Sequence, residues 1–146
     1  MKALVRSSED GSDVKVKEIP MPEVQPGHYL VKVEASPIHP VDQLQLQGTL
    51  FPPAMMPPPC KVGIEASGTV VKVGEGLAEK DWVGKRMTFM LVPIFPGIGD
   101  NLGWQEYIQV SKDYDYQVEL APKVSFDAGC MLICNPLTVV GMVDIA

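Results

Sequence analysis

The sequence predicts a mainly β fold, a small and partly open barrel followed by short C-terminal helices. Three observations carry this expectation. Short runs of β-branched and aromatic residues alternate with polar ones at period two, as half-buried strands do. Between these runs, 14 prolines and 13 glycines punctuate a chain of 146 residues at close spacing. Convincing helix signals are confined to the residues after 124.

The strand candidates, in order, are Val14 to Lys17, Tyr29 to Ala35, Thr69 to Val73 and Tyr107 to Val110. Breakers separate them: Pro20 and Pro22, Pro26-Gly27, Gly74-Glu75-Gly76, Val83-Gly84, and the run from Pro96 to Asn101. This assigns residues 1–124 to the barrel, with no helix of note inside it. Ser125 then offers an N-cap for a short helix reaching Leu132. Asn135-Pro136 gives a second start, a capping side chain followed by proline at the first helical position. The helix from Leu137 to Ala146 is apolar nearly all round and stops with no glycine, basic last turn or proline after it, so it reads as cut off. Residues 125–146 therefore form a helical crossover toward something else.

Composition narrows the function. With 46% hydrophobic and 21% charged residues, the chain is too apolar for disorder and long enough for one domain. Its net charge of -6 is dispersed, and no Lys/Arg cluster exists to neutralise phosphates, so neither nucleic acid nor an anionic membrane surface is an expected partner. The start MKALVRSSEDG lacks an apolar signal core, and no run approaches the roughly 20 apolar residues of a bilayer span, which predicts a soluble, cytoplasmic protein. Cys60, Cys130 and Cys134 are odd in number and form no CxxC pair, so reduced thiols are expected rather than a disulfide framework or zinc ribbon.

Two glycine pairs fail as phosphate loops. Gly74-Glu75-Gly76 has Glu79 at the third glycine position and reads as a hairpin turn, while Gly97-Ile98-Gly99 follows Pro96 and has Leu102 there. The proline run from Phe51 to Pro59 reads as a stiff connector between strands of one domain rather than a ligand for an adaptor module.

Five segments in order carry a resemblance: EASPIHPVDQLQLQG (34–48), VGIEASGTVVKVG (62–74), VGKRM (83–87), GWQEY (103–107) and NPLT (135–138). Together they resemble the amino-terminal half of a medium-chain dehydrogenase/reductase, and most of all its zinc-independent quinone oxidoreductase and enoyl reductase branch. The resemblance implies a GroES-like barrel, followed in that family by a nicotinamide-binding Rossmann domain of which these residues hold nothing. It implies hydride transfer from NADPH to a quinone or α,β-unsaturated carbonyl, a small-molecule substrate. The cofactor is then bound mainly by the missing domain, the parent is a homodimer, and this chain alone is inactive and self-associating.

The resemblance also distributes roles. Zinc alcohol dehydrogenases carry cysteine, histidine and cysteine ligands where this chain has His39, Ile64 and Cys134. Ile64 has no donor atom and the structural-zinc cysteines are absent, so no zinc is expected. In the zinc-free branch the loop reads asparagine-proline-x-aspartate, and here it is His39-Pro40-Val41-Asp42. His39 is thereby a candidate for hydrogen bonding a nicotinamide or substrate carbonyl, and for proton delivery. Asp42 is either catalytic or simply the N-cap of a helix-initiating corner. Glu65, matching a mostly structural glutamate near the active site, sits in an apolar run where a carboxylate needs a partner. Asn135 and Thr138 match positions near the nicotinamide ring, with capping and packing as the alternative. Ile38, Phe51 and Met55 are candidates for the substrate pocket, although apolar loop residues also seal barrel ends. Gly103, Trp104 and Tyr107 read as scaffold. Two further readings stay open, a zinc alcohol dehydrogenase-like domain and a stand-alone GroES-like binding module.

Overall fold

The computed structural model describes residues 1–51, 54–93 and 101–145. Eight strands are described: β1 (Lys2–Arg6), β2 (Val14–Glu18), β3 (His28–Ala35), β4 (Cys60–Lys61), β5 (Glu65–Val73), β6 (Arg86–Met90), β7 (Tyr107–Ser111) and β8 (Gln117–Glu119). Four helices accompany them: α1 (Pro40–Leu46), α2 (Glu79–Trp82), α3 (Phe126–Gly129) and α4 (Asn135–Ile145). The strands form a three-stranded sheet in the order β2-β1-β4 and a five-stranded sheet in the order β7-β3-β5-β6-β8. All pairs are antiparallel.

The two sheets meet where β1 touches the segment leading into β7. The Leu4 N–H donates to Trp104 O (2.9 Å), the Glu106 N–H donates to Lys2 O (3.0 Å), and Ala3 bridges Gln105. That seam closes one side of the barrel only, so the mainly β, partly open barrel expected from the sequence is what the chain forms. Alternation places Tyr29 and Val31 of β3, Val70 of β5, Phe89 of β6 and Ile108 and Val110 of β7 inside, each essentially unexposed. Each such side chain contributes about 1.5–3 kcal/mol relative to exposure. Gly68 allows the central pair to close up, since a Cβ there would lie 2.1 Å from Lys32 O on β3.

Two helices interrupt the barrel, α1 at the corner where a helix start was an open alternative and α2 where none was expected. α1 is only seven residues long, and α2 four, too short for periodicity to declare them. α2 also corrects the reading of Gly74-Glu75-Gly76 as a simple hairpin turn: β5 and β6 do pair antiparallel, but their connection winds through α2. The Gly97-Ile98-Gly99 segment, and Pro52 and Pro53 of the proline run, lie outside the described residues.

The chain after the barrel is pinned before it is released. Ser125 Oγ accepts from the Ala128 N–H (3.1 Å) as the expected cap, although α3 ends at Gly129 rather than reaching Leu132. Ser67 and Thr88 donate from the barrel to Phe126 O (2.8 Å) and Gly129 O (2.7 Å), and Arg86 lies 4.3 Å over the Phe126 ring. α4 begins at Asn135 itself and buries none of its residues.

Candidate functional site

The geometry of the 34–48 segment starts from one proline. Pro40 at the first helical position holds the preceding residue extended, and His39 has φ −96 and ψ 148, the conformation of an N-cap. The Val41 N–H donates to His39 Nδ1 (3.1 Å), and the His39 N–H donates back to Asp42 Oδ2 (2.6 Å). This is a capping box with histidine in the place usually taken by serine or threonine. The expectation that Asp42 caps the helix is therefore corrected: His39 is the cap, and Asp42 is the third helical residue, answering it.

Asp42 and Gln45 lie three residues apart, on the inner face of α1, and both are buried. Asp42 Oδ1 accepts from the Ile64 N–H and Gln45 Oε1 from the Gly63 N–H, each at 3.0 Å. Gly63 can take this position because its φ is +103 and a Cβ would lie 2.6 Å from the Trp104 ring. Beneath them Arg6, with no exposed surface, donates to Gln45 O and Met56 O, both at 2.8 Å. Neither Arg6 nor Gln45 was legible as part of this frame. Gln45 sits in a polar run, LQLQG, that reads as solvent-facing, and only its three-residue offset from Asp42 could have signalled otherwise.

That frame delivers Glu65. It is 2% exposed, and its Oε1 accepts from the Cys134 N–H (3.0 Å), tying β5 to the residue before α4. Burial pushes the Glu65 carboxyl above the usual carboxylate range, against the Cys134 hydrogen bond and the nearby imidazole. Asp42 is likewise raised by burial, although its two backbone hydrogen bonds oppose the shift. Burial and the Glu65 charge also push the half-buried Cys134 thiol up.

His39, Glu65 and Cys134 come together, with a potential ligand atom from each lying within 4.8 Å of the others. Ile64, the ligand position that a zinc enzyme fills, presents a buried aliphatic side chain instead. The Asn135 amide stands 3.4–3.5 Å from His39 Nε2. Thr138, one turn on, donates its hydroxyl proton to Cys134 O (2.7 Å), which leaves its oxygen as an acceptor. The three pocket candidates separate: Ile38 is 86% exposed and Met55 55%, whereas Phe51 is buried in the barrel core. Phe51 is thus sealing the barrel end, the alternative that apolar loop residues always carry.

Residues 25–120 match the profile of the alcohol dehydrogenase GroES-like domain. The chain belongs to that family. Of the solved structures this GroES-like domain resembles, the quinone oxidoreductase of Coxiella burnetii superposes with a TM-score of 0.81 at 23% identity, over 100% of this chain and 45% of that one. A Mesorhizobium loti protein assigned as an NADPH:quinone reductase gives a TM-score of 0.74 at 26% identity, over 99% and 43%. A curated relative, the trans-enoyl reductase milB of Cordyceps militaris, is 38% identical over 73 residues, which is 50% of this chain and 19% of that protein. The GroES-like domain described here thus spans less than half the length of each of these proteins. The expected resemblance to medium-chain dehydrogenase/reductases stands confirmed at the level of family and fold. Among the described residues, no helix is long and apolar enough to cross a membrane.

Proposed function

We propose that this chain is the substrate domain of an NADPH-dependent oxidoreductase that transfers hydride to a quinone or an α,β-unsaturated carbonyl. The observation that carries the reading is the meeting of His39 with Asn135 at the start of α4, where Thr138 follows one turn on, beside the buried carboxylates of Asp42 and Glu65. The relatives named as quinone and enoyl reductases support it. The bound nicotinamide supplies the hydride, and the residues that hold its phosphates belong to the part of the protein outside this chain. What these residues supply is positioning. The Thr138 oxygen and the Asn135 amide are suited to a carboxamide at the ring end of the cofactor, and the His39 edge to a substrate oxygen that gains charge. Ile38 and Met55, both exposed, offer apolar surface to the rest of the substrate. Glu65 and Asp42 orient this edge without touching the substrate.

The test is NADPH oxidation by the whole protein that carries this chain, assayed with a quinone and with an α,β-unsaturated ketone. Turnover of either, with a marked preference over NADH, is expected. Consumption with neither, alongside oxidation of a simple alcohol, would overturn the proposal.

A further inference from the structure

The cluster of His39, Glu65 and Cys134 has the donor set of a metal centre, but the helix cap disqualifies it. We propose that capping α1 locks His39 as the Nε2–H tautomer, so that the ring is a fixed hydrogen-bond donor to a ligand oxygen and does not ligate a metal.

Nδ1 accepts the Val41 N–H at 3.1 Å, so Nδ1 must carry a lone pair, and the neutral ring must hold its proton on Nε2. A metal at Nε2 would need that nitrogen's lone pair. The proton would then move to Nδ1, where it faces the Val41 N–H, donor against donor, at the start of a helix. Metal-bound imidazoles are the reverse case, with the distal N–H donated to a carboxylate or carbonyl. A metal at Nδ1 would displace the cap outright. The carboxylate that elsewhere plays this orienting part is also committed, since Asp42 receives the His39 and Ile64 backbone N–H groups on its two oxygens.

The same placement defines what the ring can do. Its Nε2–H makes no short contact with the Asn135 amide, whose Oδ1 stands at 3.5 Å and Nδ2 at 3.4 Å. A carbonyl or enolate oxygen approaching that edge would find an under-used donor whose orientation the cap has already fixed. An imidazolium could not keep the cap, because it has no lone pair on Nδ1. His39 therefore positions and polarises an oxygen rather than shuttling a proton. His28 is a built-in contrast: its Nδ1 lies 2.9 Å from Pro26 O, an acceptor, and so must carry the proton.

The experiment is a long-range proton–nitrogen correlation spectrum of the histidine rings in this chain, recorded at about pH 8, above the ordinary imidazole range. His28→Gln identifies the signals. His39 is expected as Nε2–H and His28 as Nδ1–H; an Nδ1–H pattern for His39 overturns the proposal. Titration with Co2+ is expected to give no visible absorption at one equivalent, and a one-to-one cobalt–thiolate spectrum abolished by Cys134→Ser overturns it as well. Asparagine can cap and alanine cannot, so His39→Asn should leave the folding constant nearly unchanged while His39→Ala lowers it about fivefold. Equal losses for the two remove the cap from the argument. The ligand half rests on the function proposed above, but the tautomer and cobalt outcomes do not. An inactive whole protein with an Nε2–H His39 would refute that function and leave this inference standing.

Discussion

Glu65 shows how a single buried group sets a pH dependence. Burial raises its folded pKa, so between the ordinary carboxylate value and that raised value the unfolded chain has released a proton the folded chain still holds. Stability contributed by the protonated form is therefore lost as pH rises through this window, and Asp42 adds to the effect in the same direction. Glu65→Gln keeps an oxygen for the Cys134 N–H and removes the titration. Melting curves from about pH 4 to pH 7 should fall less steeply for this variant than for the wild type; parallel curves would show that Glu65 is not titrating abnormally. Asp42→Asn differs, because its amide can answer only one of two backbone donors. It should cost about 1–3 kcal/mol by denaturant unfolding. The sequence exposed part of this. Glu65 was visible as a carboxylate in an apolar run and His39 as an oddity between two prolines. What no residue pattern revealed is that a histidine was the cap, or that Cys134, 69 positions from Glu65, would supply its backbone partner.

At the scale of elements, four of the eight described strands were legible, β1 (Lys2–Arg6) and β6 (Arg86–Met90) were not, and of the short helices α3 was announced by its Ser125 cap. The stretch 14–17 became β2 (Val14–Glu18) and 107–110 became β7 (Tyr107–Ser111), because alternation persists where one face is dry. β8, three residues long, and β4, two, are too brief to alternate visibly. α1 was visible only as a helix-initiating corner, because its seven residues owe their helicity to the His39 cap and to Asp42 and Gln45 bonding elsewhere, contacts that are invisible in sequence. Two substitutions probe these elements. Gly68→Ala should cost about 3 kcal/mol or more, because a Cβ 2.1 Å from Lys32 O forces β5 away from β3. Ser125→Ala should cost only about 1 kcal/mol, the loss of one cap, and should loosen α3 without disturbing the barrel. Reversed magnitudes in chemical unfolding would contradict both accounts.

For the whole molecule, α4 is the dominant surface fact. Leu137, Val139, Val140, Met142, Val143 and Ile145 are all more than half exposed, an apolar patch that favours association. Sedimentation of this chain should show dimers or larger species at high concentration, and Val143→Glu should return it to monomer. A wild type that stays monomeric with α4 ordered would refute this. Calorimetry should find no useful NADPH affinity in the chain by itself, since under the proposed function Asn135 and Thr138 would meet only the ring end of the cofactor. The burial of Arg6 could not be anticipated, because a cation with no exposed surface defies its residue type. That buried guanidinium also sets a clock. It joins β1 to the end of α1 and to Met56, so water must hydrate a cation before the floor beneath the site can lift. The Gly63 and Ile64 amides should then exchange their hydrogens in step with β1, on the slow time scale of barrel opening rather than the fast one of a surface loop.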